Sequence, residues 1–132
     1  MVPAAPIPPP KRRILVVEDR DSLRKLLAHA LTAEGYRADA VADGEAACAL
    51  LAAEPFDLVL SDLKLPGISG LEVLRAATAA SAAVPVVVMT GFGTVQSAVE
   101  AMKLGAVDFL EKPVEIEDLL RLVAGLLAPR DP

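Results

Sequence analysis

Tryptophan is absent from this chain of 132 residues, tyrosine occurs once and phenylalanine three times. The apolar fraction of 54% is therefore carried by alanine, valine and leucine rather than by aromatic rings. Cysteine occurs once, as Cys48, which excludes an internal disulfide and fits a reducing cytosol. No apolar run approaches the roughly 20 residues that a membrane-spanning helix needs, so membrane insertion is not expected. Nothing between Met1 and Arg13 has the apolar core of a secretory signal, which argues for a soluble, cytoplasmic protein. Cations are outnumbered, 13 Lys and Arg against 18 Asp and Glu, and the net charge is −5. A surface of that sign disfavours direct nucleic-acid binding.

Proline, by contrast, crowds the start of the chain, at Pro3, Pro6, Pro8, Pro9 and Pro10. Proline lacks the N–H that a ladder requires, so residues 1–11 read as a disordered, Pro-rich leader. Beyond it, short apolar runs alternate with helical periodicity. Strands are predicted at Ile14-Leu15-Val16-Val17, Arg37 to Val41, Leu58-Val59-Leu60-Ser61, Val84 to Met89 and Val107 to Leu110. Leu23, Leu26, Leu27, Ala30 and Leu31 share one face of a first helix that Gly35 ends. Asp43 caps a second helix with Ala46, Ala47, Leu50 and Leu51 on one side. Ser69 caps a third, through Leu71 and Leu74 to about Ala79. Thr94 starts a fourth with Val95, Ala98, Val99 and Met102 facing inward, stopped at Gly105. The fifth carries Ile116, Leu119, Leu120, Val123, Ala124 and Leu127 on one stripe before Pro129. Five strands alternating with five helices give an α/β fold with a doubly wound parallel sheet. One domain over 12–128 is expected, with a short tail at 129–132. Right-handed crossovers put the strand ends on one rim, the edge where open α/β sheets hold their chemistry.

That rim receives an unusual set of groups. Glu18 and Asp19 follow the first strand, Asp62 closes the third, Thr90 ends the fourth and Lys112 follows the fifth. Three carboxylates together would raise one another's pKa values, and a hard divalent cation relieves them. Mg²⁺ takes about six oxygens and keeps several waters, which suits two or three carboxylates and a backbone carbonyl. Glu18 and Asp19 would face opposite ways on a regular strand, but a turn at the strand's end lets both reach one ion. With a metal present, Asp62 can attack phosphorus to form an aspartyl phosphate. Such a transfer needs in-line positioning and neutralised oxygens more than covalent help. Lys112 offers a compact positive charge to one phosphoryl oxygen and Thr90 a hydroxyl to another.

These residues, taken with their neighbours, resemble the receiver domain of bacterial two-component response regulators over roughly Arg12 to Leu127. The resemblance rests on Ile14-Leu15-Val16-Val17-Glu18-Asp19 and on Leu58 to Gly70, with Ser61-Asp62-Leu63-Lys64-Leu65-Pro66-Gly67 at its centre. Met89-Thr90-Gly91 and Gly105 to Pro113 complete it. The stretch Thr90 to Pro113 looks most like receivers that precede nitrogen-regulator-type transcriptional activators. The resemblance implies a flavodoxin-like (βα)5 sheet with strand order 2-1-3-4-5. It implies Asp62 as phosphoacceptor, with Glu18, Asp19, Asp62 and the Lys64 backbone carbonyl holding Mg²⁺. Thr90 and Phe109 would be the coupled switch pair, and Lys112 would contact the phosphoryl group, with the Lys112–Pro113 bond cis. The chain would be a signal transducer rather than an enzyme in the usual sense, promoting its own phosphorylation and dephosphorylation. Its partners would be a sensor histidine kinase or histidine phosphotransfer protein, and a downstream protein target. Phosphorylation would change the surface of the fourth helix, fifth strand and fifth helix, and a phosphorylation-dependent homodimer fits the same scheme. Arg24 and Lys25 on the first helix, and the loop from Pro113 to Glu115, would meet the kinase.

Rival chemistries fit less well. The loop Gly91-Phe92-Gly93-Thr94 lacks the lysine and third glycine of a phosphate cradle. A flavin-binding relative of the fold would want a hydroxyl-rich loop where Glu18, Asp19 and Arg20 stand. An aspartate-nucleophile phosphatase would want a second Asp two residues after Asp62, where Lys64 sits. A non-phosphorylated interaction module that keeps the fold is the alternative function. His29, mid-helix, reads as surface, and Cys48 as a small apolar packing residue. By the same resemblance, Lys64, two after the acceptor, and Phe92, two after Thr90, are variable rim positions that would flank the path of hydrolytic water, so their bulk is predicted to slow self-dephosphorylation. Replacing both with small residues should shorten the lifetime of the phosphorylated chain, followed by intact mass over time. An unchanged lifetime would sink that role.

Overall fold

The computed structural model describes residues 10–91 and 95–128. Most of the expected leader, Phe92, the Thr94 helix start and the tail at 129–132 lie outside the described residues. The described chain alternates β1 (Arg13–Val17), α1 (Asp21–Ala33), β2 (Arg37–Val41), α2 (Gly44–Ala53) and β3 (Leu58–Asp62). It continues with α3 (Gly70–Ala80), β4 (Val86–Thr90), α4 (Val95–Lys103), β5 (Asp108–Glu111) and α5 (Ile116–Leu126). All pairings are parallel and the sheet order is β2-β1-β3-β4-β5, as the resemblance implied. The order reverses direction at β1, so the ends of β1 and β3 lie side by side at the switch point.

Period-2 alternation along the central strands divides the core into two layers. Leu15, Val17, Val59, Val86 and Val88 pack with Ala47 and Leu51 of α2, Val73, Leu74 and Ala77 of α3, and Ala101 of α4. Ile14, Val16, Leu58, Leu60, Val87 and Met89 pack with Leu27 and Leu31 of α1, and Leu119 and Val123 of α5. Strands β3 and β4 are buried at every position, which is why they read as unbroken apolar runs. Each fully buried leucine in these layers is worth about 1.5–3 kcal/mol. At the opposite edge of the sheet, the Arg13 side chain lies over the Phe56 ring and pairs with Asp39 at 2.9 Å.

Several predicted helix details change. Leu26 is 49% exposed, because α1 buries only the narrower stripe of Leu27 and Leu31. Val99 and Met102 do not face inward but are 47% and 40% exposed. The buried positions of α4 are the small side chains Ala98 and Ala101, Ala101 packing in the core with the sheet, and Val99 and Met102 fall beside that stripe. Ala124 is exposed on α5, and Leu127 is buried just beyond the helix end. Strand β5 begins one residue later than expected and alternates between half-buried and exposed, as an edge strand should. Asp43 caps α2 through a 2.8 Å bond from the Ala46 N–H, whereas Ser69 holds the cap position of α3 without a side-chain bond. The N–H of Gly70 is instead taken by the Leu63 carbonyl at 3.0 Å.

This closure leaves no room for a side chain at Gly70. A Cβ there would overlap the Asp62 carbonyl oxygen and stand 2.6 Å from Leu63 Cα, both rigid backbone. Gly125, in α5, would meet nothing within 4 Å. Chemical denaturation should therefore separate the two. Gly70→Ala should lose about 2 kcal/mol or more through overpacking. Gly125→Ala should gain about 0.5–1 kcal/mol from helix propensity.

Candidate functional site

Where β1 ends, the backbone turns, and Glu18 and Asp19 leave the ladder. Glu18 keeps one tie to it, donating its N–H to the Val41 carbonyl at 3.1 Å. Its carboxylate is wholly buried, while Asp19 is exposed beside it. Asp62 is the last residue of β3 and is 4% exposed; Thr90, last in β4, is equally buried. The Lys112 N–H donates to the Thr90 carbonyl at 2.7 Å, which fixes the post-β5 residue against the end of β4. The Lys112–Pro113 bond is cis, as the resemblance implied.

The side chains converge on the Lys112 ammonium. Nζ donates to Glu18 Oε1 at 2.6 Å and to Asp62 Oδ2 at 2.6 Å. The second oxygen of each carboxylate is held by backbone: Glu18 Oε2 accepts from the Arg20 N–H at 2.9 Å, and Asp62 Oδ1 from the Lys64 N–H at 3.0 Å. The acids are thus presented in fixed orientations. Beside them an open groove of about 850 Å³ is lined by Asp19, Arg20, Asp62, Lys64, Pro66 and Lys112, among others. Glu45 of α2 accepts the Ile68 N–H at 3.1 Å and so ties the β3–α3 loop to the neighbouring helix.

Burial, more than any neighbour, pushes the Glu18 carboxyl above the usual carboxylate range, with Asp19 and Asp62 adding to it and Lys112 opposing it. Burial pulls the Lys112 ammonium down, but the ion pairs with Asp62 and Glu18 outweigh it and the net shift is upward. Glu18, Asp19 and Asp62 can each aim a carboxylate oxygen so that all three lie within 4.8 Å of one another. Such hard oxygens, more numerous than the single ammonium between them, fit a divalent ion of the Mg²⁺ type.

Of the residues singled out in the sequence, Glu18, Asp19, Asp62, Thr90 and Lys112 come to this rim. Phe109 does not: it sits in edge strand β5 and is 39% exposed. Arg24 is not a free surface cation, because its guanidinium folds back onto the β1–α1 loop. Sequence reading missed this and the tie from Glu45, since neither residue belongs to an apolar period or a strand end. The only available hint was the acidic position in the first turn of α2, after the cap at Asp43.

Fold and rim together define an α/β domain with a metal-competent acidic pocket at the carboxyl edge of a parallel sheet. The model of the response regulator receiver domain matches residues 14–124, and the chain belongs to that family, whose members transduce signals by phosphorylation. Among curated relatives, the response regulator protein FleR of Pseudomonas aeruginosa is 44% identical over 112 residues, 85% of this chain and 24% of FleR. The transcriptional regulatory protein FixJ of Bradyrhizobium diazoefficiens is 38% identical over 122 residues, 92% of this chain and 60% of FixJ. The chain therefore spans less than two thirds of either relative. Among solved structures, the signal receiver domain of a putative LuxO repressor protein from Vibrio parahaemolyticus superposes with a TM-score of 0.81 at 35% identity. That match covers 89% of this chain and 90% of the other. The chemotaxis response regulator CheY4 of Vibrio cholerae gives a TM-score of 0.82 at 28% identity, over 89% and 100% of the two chains.

The raised Glu18 pKa has a definite sign. The folded state holds its proton more tightly than the unfolded chain, so this group's contribution is fully present below the unfolded pKa and is lost as pH rises through the folded one. In metal-free protein, the stability of Glu18→Gln relative to the native chain should therefore increase from about pH 4.5 upward. Denaturation midpoints measured across pH 5 to 8 in chelator check this. The slope cannot exceed about 1.4 kcal/mol per pH unit for one proton. A difference independent of pH would contradict it.

Proposed function

We propose that Asp62 accepts a phosphoryl group from a phosphohistidine and that the resulting aspartyl phosphate is the signal this domain carries. The observation that carries this is the Asp62 carboxylate, buried at the end of β3 with both oxygens oriented, one by the Lys64 N–H and one by Lys112. Glu18, Asp19 and Asp62, with the Lys64 carbonyl, would hold Mg²⁺, which when bound supplies charge neutralisation for the transferring phosphoryl oxygens. The chain's own residues do the rest. Asp62 is the nucleophile, held still before reaction so that little orientation is lost at the transition state. Lys112 already sits 2.6 Å from the acceptor and can follow charge from the carboxylate onto a phosphoryl oxygen. Thr90, buried beside it on β4, can turn its hydroxyl toward another.

Such a movement of Thr90 would be read at Phe109, one strand over, where an exposed ring could turn inward to fill the space. Val99, Met102, Val107 and Phe109 are all exposed apolar residues on α4 and around β5, which supports this side of the domain as the docking surface for a downstream protein or a second copy. Phosphorylation would bias an equilibrium between two forms of that surface, since it adds interactions available in only one of them. The same site would release phosphate by attack of water, so the domain would set its own signal lifetime. A histidine kinase or phosphotransfer protein is the donor, and a cytoplasmic setting follows from that partnership.

Intact-mass measurement after treatment with acetyl phosphate and Mg²⁺ tests the proposal. One phosphoryl adduct is expected on the native chain, absent from Asp62→Ala and suppressed by chelator. No adduct on the native chain would favour a passive interaction module that keeps the fold.

A further inference from the structure

The Arg24 side chain folds back from α1 onto the residues that precede it. It is 18% exposed and lies against the loop between β1 and α1. Nη1 donates to the Glu18 carbonyl at 3.1 Å and to the Asp19 carbonyl at 3.4 Å. Nη2 donates to the Asp21 carboxylate in the first turn of α1. We propose that Arg24 is a positioning residue for the divalent-cation site, fixing the backbone from which Glu18 and Asp19 project so that both carboxylates can address one ion. This rests on the proposed role of Glu18, Asp19 and Asp62 as the Mg²⁺ site.

The need for such a residue follows from strand geometry. Consecutive side chains on a strand point to opposite faces, so two adjacent acids share an ion only where the backbone is held in a turn. Two carbonyls in succession are taken here by one guanidinium nitrogen, and the other end of the planar fork is anchored on Asp21. A guanidinium can span these three acceptors because its donors are fixed in one plane. An ammonium cannot, although it carries the same charge.

Charge and position also make opposite demands, which separates them experimentally. A cation near the site repels Mg²⁺, so removing charge alone would tighten binding. Removing the brace should weaken it, and losing an outer-shell partner typically costs 10–100-fold in metal affinity. Lys25, exposed on the same helix, serves as a charge control because the loop contacts belong to Arg24.

The test is calorimetric titration of the metal-stripped full chain with Mg²⁺ alone, comparing native, Arg24→Lys, Arg24→Gln and Lys25→Gln. Both Arg24 variants should bind about tenfold more weakly, while Lys25→Gln binds as the native chain does or slightly tighter. In metal-free Arg24→Lys, which keeps the charge and the helix, the carbonyl ¹³C resonances of Glu18 and Asp19 should shift while those of Val59 and Leu60 stay in place. Arg24 variants that bind Mg²⁺ as tightly as the native chain would overturn this role and leave the metal site standing. A native chain that binds no Mg²⁺ would overturn both.

Discussion

The Lys112 ammonium between Glu18 and Asp62 is the interaction around which the rim is built. Two carboxylates with almost no exposure to water are expensive to ionise, several kcal/mol each in general, unless a cation and hydrogen bonds compensate them. Lys112 compensates both at once, from 2.6 Å on each side. It reaches them because its own N–H is tied to Thr90 on β4, so the fifth strand's register sets where the ammonium falls. The cost of burial is not fully relieved at Glu18, whose carboxyl stays above the usual range. A pocket with negative charge still to be neutralised is suited to a divalent cation, and only with that cation to a phosphoryl group, and less so to stability. That is a common bargain at functional sites.

The scaffold makes the bargain tolerable. Strands β3 and β4 are buried at every position, so Asp62 and Thr90 are delivered from the packed core of the sheet. The loops that follow are less regular and are fixed by single residues: Gly70 by the absence of a side chain, Glu45 through Ile68, Arg24 through the carbonyls of Glu18 and Asp19. The periphery is different again. Edge strand β5 alternates in burial and leaves Phe109 exposed, as are Val107 just before it and Val99 and Met102 of α4. Burial is thus deepest at the acceptor and shallowest on the side proposed to carry the signal outward.

Much of this was legible in the sequence, for identifiable reasons. Buried parallel strands are unbroken apolar runs, and Leu58 to Asp62 could hardly be read otherwise; the polar residue at each run's end then marked the rim. The doubly wound sheet followed from alternation, whereas its strand order came from resemblance. Helix faces were less legible. Val99 and Met102 fit an inward stripe by spacing, but alanines at 98 and 101 bring α4 close to the sheet on a narrower contact and leave the larger residues outside. Leu26 failed for the same reason on α1. Side-chain to backbone ties were not legible at all. Nothing in the spacing of Arg24 says that its guanidinium turns back to two carbonyls, so a charge on a helix read as a partner contact.

Chemical localisation of the phosphoryl group bears most directly on whether this rim is a phosphoacceptor. An acyl phosphate is reduced by borohydride where a phosphate ester is not, and aspartyl phosphate becomes homoserine. Reducing the acetyl phosphate-treated chain and mapping its peptides should place homoserine at position 62. Phosphate that survives reduction on a hydroxyl, at Ser61 or Thr90, or homoserine at position 19 instead, would contradict Asp62 as the acceptor.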